Sequence, residues 1–327
     1  MPTLAEVQRP IAAEMQVFET RFREAMRSRT ALLDRVMHYI VKRKGKQMRP
    51  MFTLLSARLF GPVNDNGFTA ASLIELLHTA TLVHDDVVDG SPLRRGFFSI
   101  NALWKNKIAV LVGDYLLSRG LLLAVENRQF ELLGIVSRAV REMSEGELLQ
   151  LEKARGLNFS EEVYFDIIRQ KTASLIAACC ASGAHAGGAS SEEVERMRSF
   201  GELAGIAFQV KDDLFDYPGG GMEGATGKPT GLDIKERKLT LPLIHALRQV
   251  SEGDRRWMVR TVKARHQDPR EVARVVQRVV DAGGITHARQ RMLDYRDKAL
   301  AVLRTFPDND ARRSLEGLVQ LTVEREK

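Results

Sequence analysis

Apolar positions along this chain gather into long blocks separated by glycine, proline and asparagine, and apolar–polar alternation is scarce. That pattern predicts helices rather than strands. Residues 4–43 read as mostly helix with charged faces. Gly45 breaks this stretch, and Pro50 marks the start of another helix, Met51 to Phe60. Gly61-Pro62 and Asn64-Asp65-Asn66-Gly67 read as a loop. A strongly apolar helix then runs from Phe68 through Ile74, Leu77, Leu82 and Val83 to Val88, and Gly90-Ser91-Pro92 ends it. Residues 101–125, 131–152, 161–183 and 192–216 read as four more helices. A glycine-rich loop from Gly219 to Gly231 follows. From about Leu239 the chain is helical again, broken near Gly253 and Gly283-Gly284.

There is no short internal repeat and no linker that would separate two domains. The expected architecture is therefore all-α: one domain over residues 1–327, a large helical bundle with a central cavity. The chain is long for one domain, but 44% hydrophobic residues can bury a substantial core. The loop at 219–231 lacks the preceding strand and the GxGxxG spacing of a dinucleotide fold. It reads instead as a mobile loop over a site.

Charge narrows the partners only a little. The net charge of +7 suits anions, whether nucleic acid, membrane surface or phosphorylated metabolite. No block of six lysines and arginines occurs, which argues against nucleic acid. The two cysteines, Cys179 and Cys180, are adjacent and make a poor disulfide pair. Small core residues in a reducing cytoplasm are the expectation. The first 22 residues lack the basic-then-apolar layout of a signal peptide, and no apolar run reaches about 18 residues.

Two acidic clusters change the picture. His84-Asp85-Asp86-Val87-Val88-Asp89 ends the apolar helix, and Lys211-Asp212-Asp213-Leu214-Phe215-Asp216 lies among Ile206, Phe208, Val210 and Leu214. Asp85 and Asp89 are four residues apart, as are Asp212 and Asp216, so each pair shares a helical face about 6 Å along the axis. Like charges at that spacing destabilise a helix, and a divalent cation would remove the cost. One such cluster is most often a solvated helix end. Two copies flanked by apolar residues are harder to explain that way. Carboxylates without thiolates or paired histidines point to magnesium, held by one or two carboxylates plus substrate phosphates. Gly45-Lys46-Gln47-Met48-Arg49-Pro50, Arg94-Arg95-Gly96, Lys171-Thr172, Lys228 and Lys238 supply cations for two polyphosphate groups.

From Gly45 to the C-terminus the sequence resembles the trans-polyprenyl diphosphate synthases. The carrying segments are GKQMRP (45–50), LLHTATLVHDDVVDG (76–90), RRG (94–96), LVGDYLLSRG (111–120), RQKTASL (169–175), FQVKDDLFDY (208–217) and GKPTGLDIKERKLTLPL (227–243). The resemblance implies an isoprenoid synthase-type helical bundle, with residues 1–44 as an N-terminal helical region and 45–327 as the catalytic core. It implies a cytoplasmic homodimer that condenses an allylic prenyl diphosphate with isopentenyl diphosphate, aided by three magnesium ions, with transient membrane-surface contact for product release. Asp85, Asp89 and Asp212 would be direct metal ligands, with Asp86, Asp213 and Asp216 direct or water-mediated. Arg94, Lys171, Lys228 and Lys238 would bind the allylic diphosphate. Lys46, Arg49, His78 and Arg95 would bind isopentenyl diphosphate. Thr172 and Gln209 would lie beside the reacting carbons. The chain departs from the family pattern at Gln47-Met48, at Gly90, at Phe97-Phe98 after RRG, and in the loop Gly219 to Ala225.

Product length follows from what lies below Asp85. Thr81 and Ala80 sit about one helical turn deeper, and neither is aromatic. Leu77 and Ile74 line the next turns. An open floor predicts a long-chain product, suited to a quinone side chain, and Ala80→Phe would shorten it. Ala80 and Thr81 could instead serve only close helix packing. Three rival readings fit less well. A di-iron bundle needs Glu-x-x-His twice, and only Glu75 to His78 supplies it. A terpene cyclase needs no second diphosphate site. A regulatory subunit would lack the acidic clusters. Trp104, Trp257, His84 and Asp114 read as structural.

Overall fold

Capping side chains fix where several helices begin. Thr3 and Ser190 each form a reciprocal box with the glutamate three residues on, Glu6 and Glu193. Asn64, Ser160, Ser251 and Asp268 each accept an N–H from the first turn. The computed structural model describes residues 2–323 except 44, 95, 157–159 and 219–230, and omits the side chains of 94, 155 and 156. Along the chain run α1 (Leu4–Gln8), a 3₁₀ turn (Arg9–Ile11), α2 (Ala12–Ala25), α3 (Ala31–Lys42), α4 (Met48–Phe60) and α5 (Asp65–Val88). Then come β1 (Leu93–Arg94), β2 (Phe97–Phe98), α6 (Ile100–Glu126), α7 (Phe130–Gly156), α8 (Glu161–Ile168), a π-helical turn (Arg169–Ala173), α9 (Ser174–Ala186) and α10 (Ser191–Leu214). The last third holds α11 (Leu232–Lys235), α12 (Leu241–Gln249), α13 (Glu252–Ala264), α14 (Pro269–Asp281), α15 (Gly284–Leu303) and α16 (Asp310–Val323).

The all-α expectation holds, and the differences from it are local. Asn64 to Gly67 do not form a loop: the Asn64 side chain accepts from the Gly67 N–H at 3.1 Å, and the helix starts at Asp65. The residues that favour turns also cap helices, so composition alone did not separate the two. Residues 161–183 are not one continuous α-helix, because five residues adopt the π form. Leu93–Arg94 and Phe97–Phe98 pair as a two-stranded antiparallel ribbon, with Leu93 opposite Phe98 and Arg94 opposite Phe97. The break expected near Gly253 falls at Val250-Ser251, and Gly253 lies in the first turn of α13.

Three apolar clusters hold these elements together. The largest joins Val7, Ile11 and Phe18 of the N-terminal helices to α4, α5, α9, α10, α15 and α16. A second joins α8, α10 and α12 to α15. The third joins α3, α5 and α6 through Val36, Met37, Leu76, Ala80, Val83, Val112 and Leu116. At the centre, α9 is buried on nearly every face. It passes so close to α4 that a Cβ on Gly183 would lie 2.1 Å from the Thr53 carbonyl oxygen. Cys179 and Cys180 sit in this helix as free, fully buried thiols, and burial pushes the Cys179 thiol up to about 12.

Lys105 is one of four non-glycine residues with positive φ among the described ones. Lys105 kinks α6 with φ 68° and ψ 160°, a conformation essentially reserved for glycine. Such a residue costs about 1–3 kcal/mol, while glycine's extra unfolded-state entropy costs about 0.5–1 kcal/mol. The difference favours glycine by about 1 kcal/mol. Lys105→Gly is therefore expected to raise the melting temperature by about 1–2 °C in a thermal scan. An unchanged or lower value would show that contacts of the lysine outweigh its backbone cost.

Candidate active site

Both acidic clusters fall at helix C-termini. Asp85 and Asp86 lie in the last turn of α5 and Asp89 caps it. Asp212 and Asp213 lie in the last turn of α10, with Asp216 just beyond. A helix C-terminus carries about half a negative charge, so each carboxylate adds to repulsion already present. In each adjacent pair one side chain points out and one in. Asp85 and Asp212 are exposed, whereas Asp86 is 3% and Asp213 8% exposed. Asp89 is exposed as well.

The buried member of the second cluster is held by a polar chain. The Tyr164 hydroxyl donates to Asp213 Oδ2 at 2.6 Å, and Gln209 Nε2 donates to Asp213 Oδ1 at 2.9 Å. Thr172 Oγ1 in turn donates to Gln209 Oε1 at 2.8 Å. Burial pushes Asp213 up to about 7, against the opposing pull of the Tyr164 and Gln209 hydrogen bonds. Burial and the Asp213 and Asp216 charges push Asp233 up to about 8. Asp216 is also raised by burial, although it accepts from the Leu232 and Asp233 N–H groups at 2.7 and 3.0 Å.

The π turn delivers Lys171 and Thr172 to this region. Lys171 pairs with Glu147 and donates to Gln150 Oε1 at 3.3 Å, both on α7. Glycines on either side let the turn approach. A Cβ on Gly146 of α7 would lie 2.8 Å from the Lys171 backbone nitrogen, and one on Gly205 of α10 would lie 2.7 Å from Ala173 Cα. Single π turns occur often at functional positions, because the extra residue re-aims side chains that an α-helix would turn away.

The remaining predicted residues fall as follows. Lys46 is exposed before α4, Arg49 is half-buried in its first turn, and His78 is 8% exposed on α5. Arg94 lies on β1, with its side chain outside the described residues. Arg95, Lys228 and the loop Gly219 to Thr230 also lie outside them. Lys238 follows α11 and pairs with Glu236 at 2.5 Å. His84 Nε2 lies 3.2 Å from the Val110 carbonyl oxygen and 3.6 Å from Asp114, which suits the structural role expected of it.

Thr81 and Ala80 part company. Four residues before Asp85, Thr81 is about 40° away around the helix, whereas Ala80 is about 140° away. Ala80 is fully buried in the cluster joining α3, α5 and α6, while Thr81 is half-buried and bonds the His78 carbonyl oxygen at 2.9 Å. Leu77 and Ile74 are 4% and 0% exposed in the largest cluster.

Tyr164, Glu147, Gln150 and Asp233 were not singled out by the sequence. Asp233 lies inside a quoted motif (227–243) and could have been noticed. Tyr164 is 49 residues from its partner, and no local signal marks it.

The donor set fits a hard divalent cation: carboxylate oxygens at two helix C-termini, with one exposed carboxylate in each adjacent pair. No group of three histidine, cysteine, aspartate or glutamate side chains among the described residues is placed to hold an ion alone.

Comparison with known proteins agrees with this chemistry. The Polyprenyl synthetase family model matches residues 30–279. Octaprenyl diphosphate synthase of Escherichia coli (strain K12) is 35% identical over 324 residues, 99% of each chain. A polyprenyl synthase from Caulobacter crescentus CB15, solved with calcium and isoprenyl diphosphate, is 37% identical with a TM-score of 0.90, covering 99% of this chain and 98% of that one. A geranylgeranyl pyrophosphate synthase from Bacteroides thetaiotaomicron is 40% identical with a TM-score of 0.83, covering 98% and 99%.

Proposed function

This chain belongs to the polyprenyl synthetase family and is a prenyltransferase, and on that premise we propose that it extends an allylic prenyl diphosphate with isopentenyl diphosphate to a long-chain all-trans product. The observation that carries the reading is the exposed carboxylate of each acidic pair at a helix C-terminus, together with the fixed chain Thr172–Gln209–Asp213–Tyr164 that holds the buried member of the second pair. Asp85, Asp89 and Asp212 would hold magnesium, three ions in all, with Asp86, Asp213 and Asp216 in support. Bound magnesium would act as a Lewis acid on the leaving diphosphate.

The protein's own residues supply the rest. Lys171, Arg94, Lys228 and Lys238 bind the allylic diphosphate, and Lys46, Arg49, His78 and Arg95 bind isopentenyl diphosphate. Their charges are preorganised where negative charge develops. The allylic C–O bond breaks, and the carbocation forms beside Thr172 and Gln209. Gln209 is fixed at both ends, accepting from Thr172 and donating to Asp213. Its carbonyl dipole therefore stays aimed without reorganisation. The isopentenyl double bond attacks, and the departing diphosphate takes the proton.

Incubating the protein with farnesyl diphosphate, labelled isopentenyl diphosphate and magnesium is expected to give products beyond the twenty-carbon class on chromatographic sizing. No incorporation, or incorporation indifferent to chelation of magnesium, would refute the reading. A farnesyl or geranylgeranyl product alone would refute the long-chain part of it.

Two further readings complete the picture. A homodimer is supported by α6, which exposes Leu103, Val110, Leu111, Leu121, Leu122 and Val125. The enzyme is cytoplasmic and meets a membrane surface transiently, where its amphiphilic product leaves.

A further inference from the structure

A second feature lies outside the groups assigned to chemistry. A cleft of about 470 Å³ is lined by Arg35, His38, Tyr39, Lys42, Arg43, Phe97 and Trp104. Arg35, His38 and Lys42 recur at i, i+3 and i+7 on α3, so they share one face, and all three are exposed. The Arg43 guanidinium lies 3.3 Å from the Tyr39 ring centroid and 4.6 Å from that of Phe97. Its Nε is buried without a hydrogen-bond partner. Among the described residues, no carboxylate is within ion-pair distance of Arg35, His38, Lys42 or Arg43. Asp34, the acidic neighbour on α3, is engaged by the Ser28 N–H. Positive charge is thus gathered here without compensation, which is costly unless an anion visits.

The ribbon beside this cleft adds the second element. Phe97 contributes to the cleft wall, while Phe98 is anchored by its carbonyl, which accepts from the Tyr39 hydroxyl at 2.5 Å. Opposite residues in an antiparallel ribbon share a face, so Leu93 and Phe98 lie on one side and Phe97 on the other. Leu93 is 55%, Phe97 49% and Phe98 59% exposed, and Val88 at the preceding helix end is 79% exposed. A water-facing ribbon ordinarily keeps one face polar. This one offers large apolar side chains on both, next to four basic groups. Apolar wedge plus basic rim is the chemistry of an anionic lipid surface, where charge attracts the headgroups and the rings enter the interface.

We propose that α3 and the strands β1 and β2 form a docking face for anionic phospholipid, with the cleft taking a headgroup phosphate and Leu93, Phe97 and Phe98 entering the headgroup–acyl boundary. The inference rests on the transient membrane contact of the proposed function and names the face that makes it. The same ribbon carries Arg94, one of the residues proposed to bind the allylic diphosphate.

The test is flotation of the full-length protein with vesicles of phosphatidylcholine alone and with about one-third phosphatidylglycerol. Binding to the anionic vesicles alone is expected, weakening with salt. Each basic side chain at a membrane surface is worth about fivefold in binding, so Arg35→Glu/Lys42→Glu is expected to lower the bound fraction at least about 25-fold. Its isopentenyl incorporation in vesicle-free buffer should match wild type. Phe97→Ser/Phe98→Ser should also lose vesicle binding while keeping the wild-type mass in light scattering. Equal binding to neutral vesicles, or wild-type binding by either variant, overturns the proposal. So does conversion of a dimer to a monomer by the phenylalanine pair, which would make this a subunit interface. Calorimetric binding of inorganic phosphate without vesicle binding would make it a soluble-anion pocket, and also overturns it. A wild type that binds anionic vesicles but transfers no prenyl group would instead sink the enzymatic reading alone.

Discussion

Asp212→Ala is expected to lose at least about 10³-fold in turnover, about 4 kcal/mol of transition-state stabilisation, while melting at the same or a higher temperature. The two halves of this expectation have one cause. Asp212 is exposed in the last turn of α10, beside Asp213 and close to Asp216. A carboxylate there opposes the helix dipole by about 0.3–1 kcal/mol and repels its neighbours. Removing it relieves that repulsion. It also removes a proposed ligand of the cation that would sit on the leaving diphosphate, and loss of metal-borne charge stabilisation is worth several kcal/mol. Asp85→Ala at the end of α5 should behave alike. Steady-state rates and thermal scans on the same preparations check both halves. A folded Asp212→Ala protein that turns over at the wild-type rate would sink the metal assignment. One that melts well below wild type would mean the carboxylate is structural.

Thr81→Phe is expected to shift the main product from the long-chain class to fifteen or twenty carbons with little loss of stability. Thr81 shares the Asp85 side of α5 and is half-buried, so a ring there stands in the path of a tail descending from the diphosphate. Ala80→Phe is a different experiment. Ala80 is fully buried with Met26, Val36, Met37, Val112 and Leu116, and overpacking such a site costs about 1–3 kcal/mol. That variant should melt lower whatever it does to the product. On the proposed path the tail would next meet Leu77, which packs near Gly120 of α6, where an added Cβ would approach it to 3.3 Å. Chromatographic sizing of the products separates the two variants. If Thr81→Phe folds and gives the wild-type distribution, the tail does not pass this face.

Much of the site was legible because helices make spacing into geometry. Asp85/Asp89 and Asp212/Asp216 share faces by their four-residue separation alone, and the structure puts both clusters at helix ends. The basic motifs carried the substrate class for the same reason: they are short and local. The failures were equally local in kind. Asn64 to Gly67 read as a loop because turn and cap chemistry coincide, and the π turn at Arg169–Ala173 read as α-helix because periodicity cannot show one inserted residue.

By itself the sequence determined the all-α class, the spans of most helices, the spacing of the two acidic clusters, and the family. These depend on contacts within a few residues, which the order of residues sets directly. Only the tertiary structure decided which aspartate of each pair turns outward, since that depends on what packs against the helix from elsewhere. It alone joined Tyr164 to Asp213 across 49 residues and Thr172 to Gln209 across 37. It also set Ala80 into the core while leaving Thr81 half-open, and it brought α3 against the ribbon to make a basic, aromatic cleft. Helical periodicity places a side chain on a face, but burial of that face is fixed by partners distant in the chain.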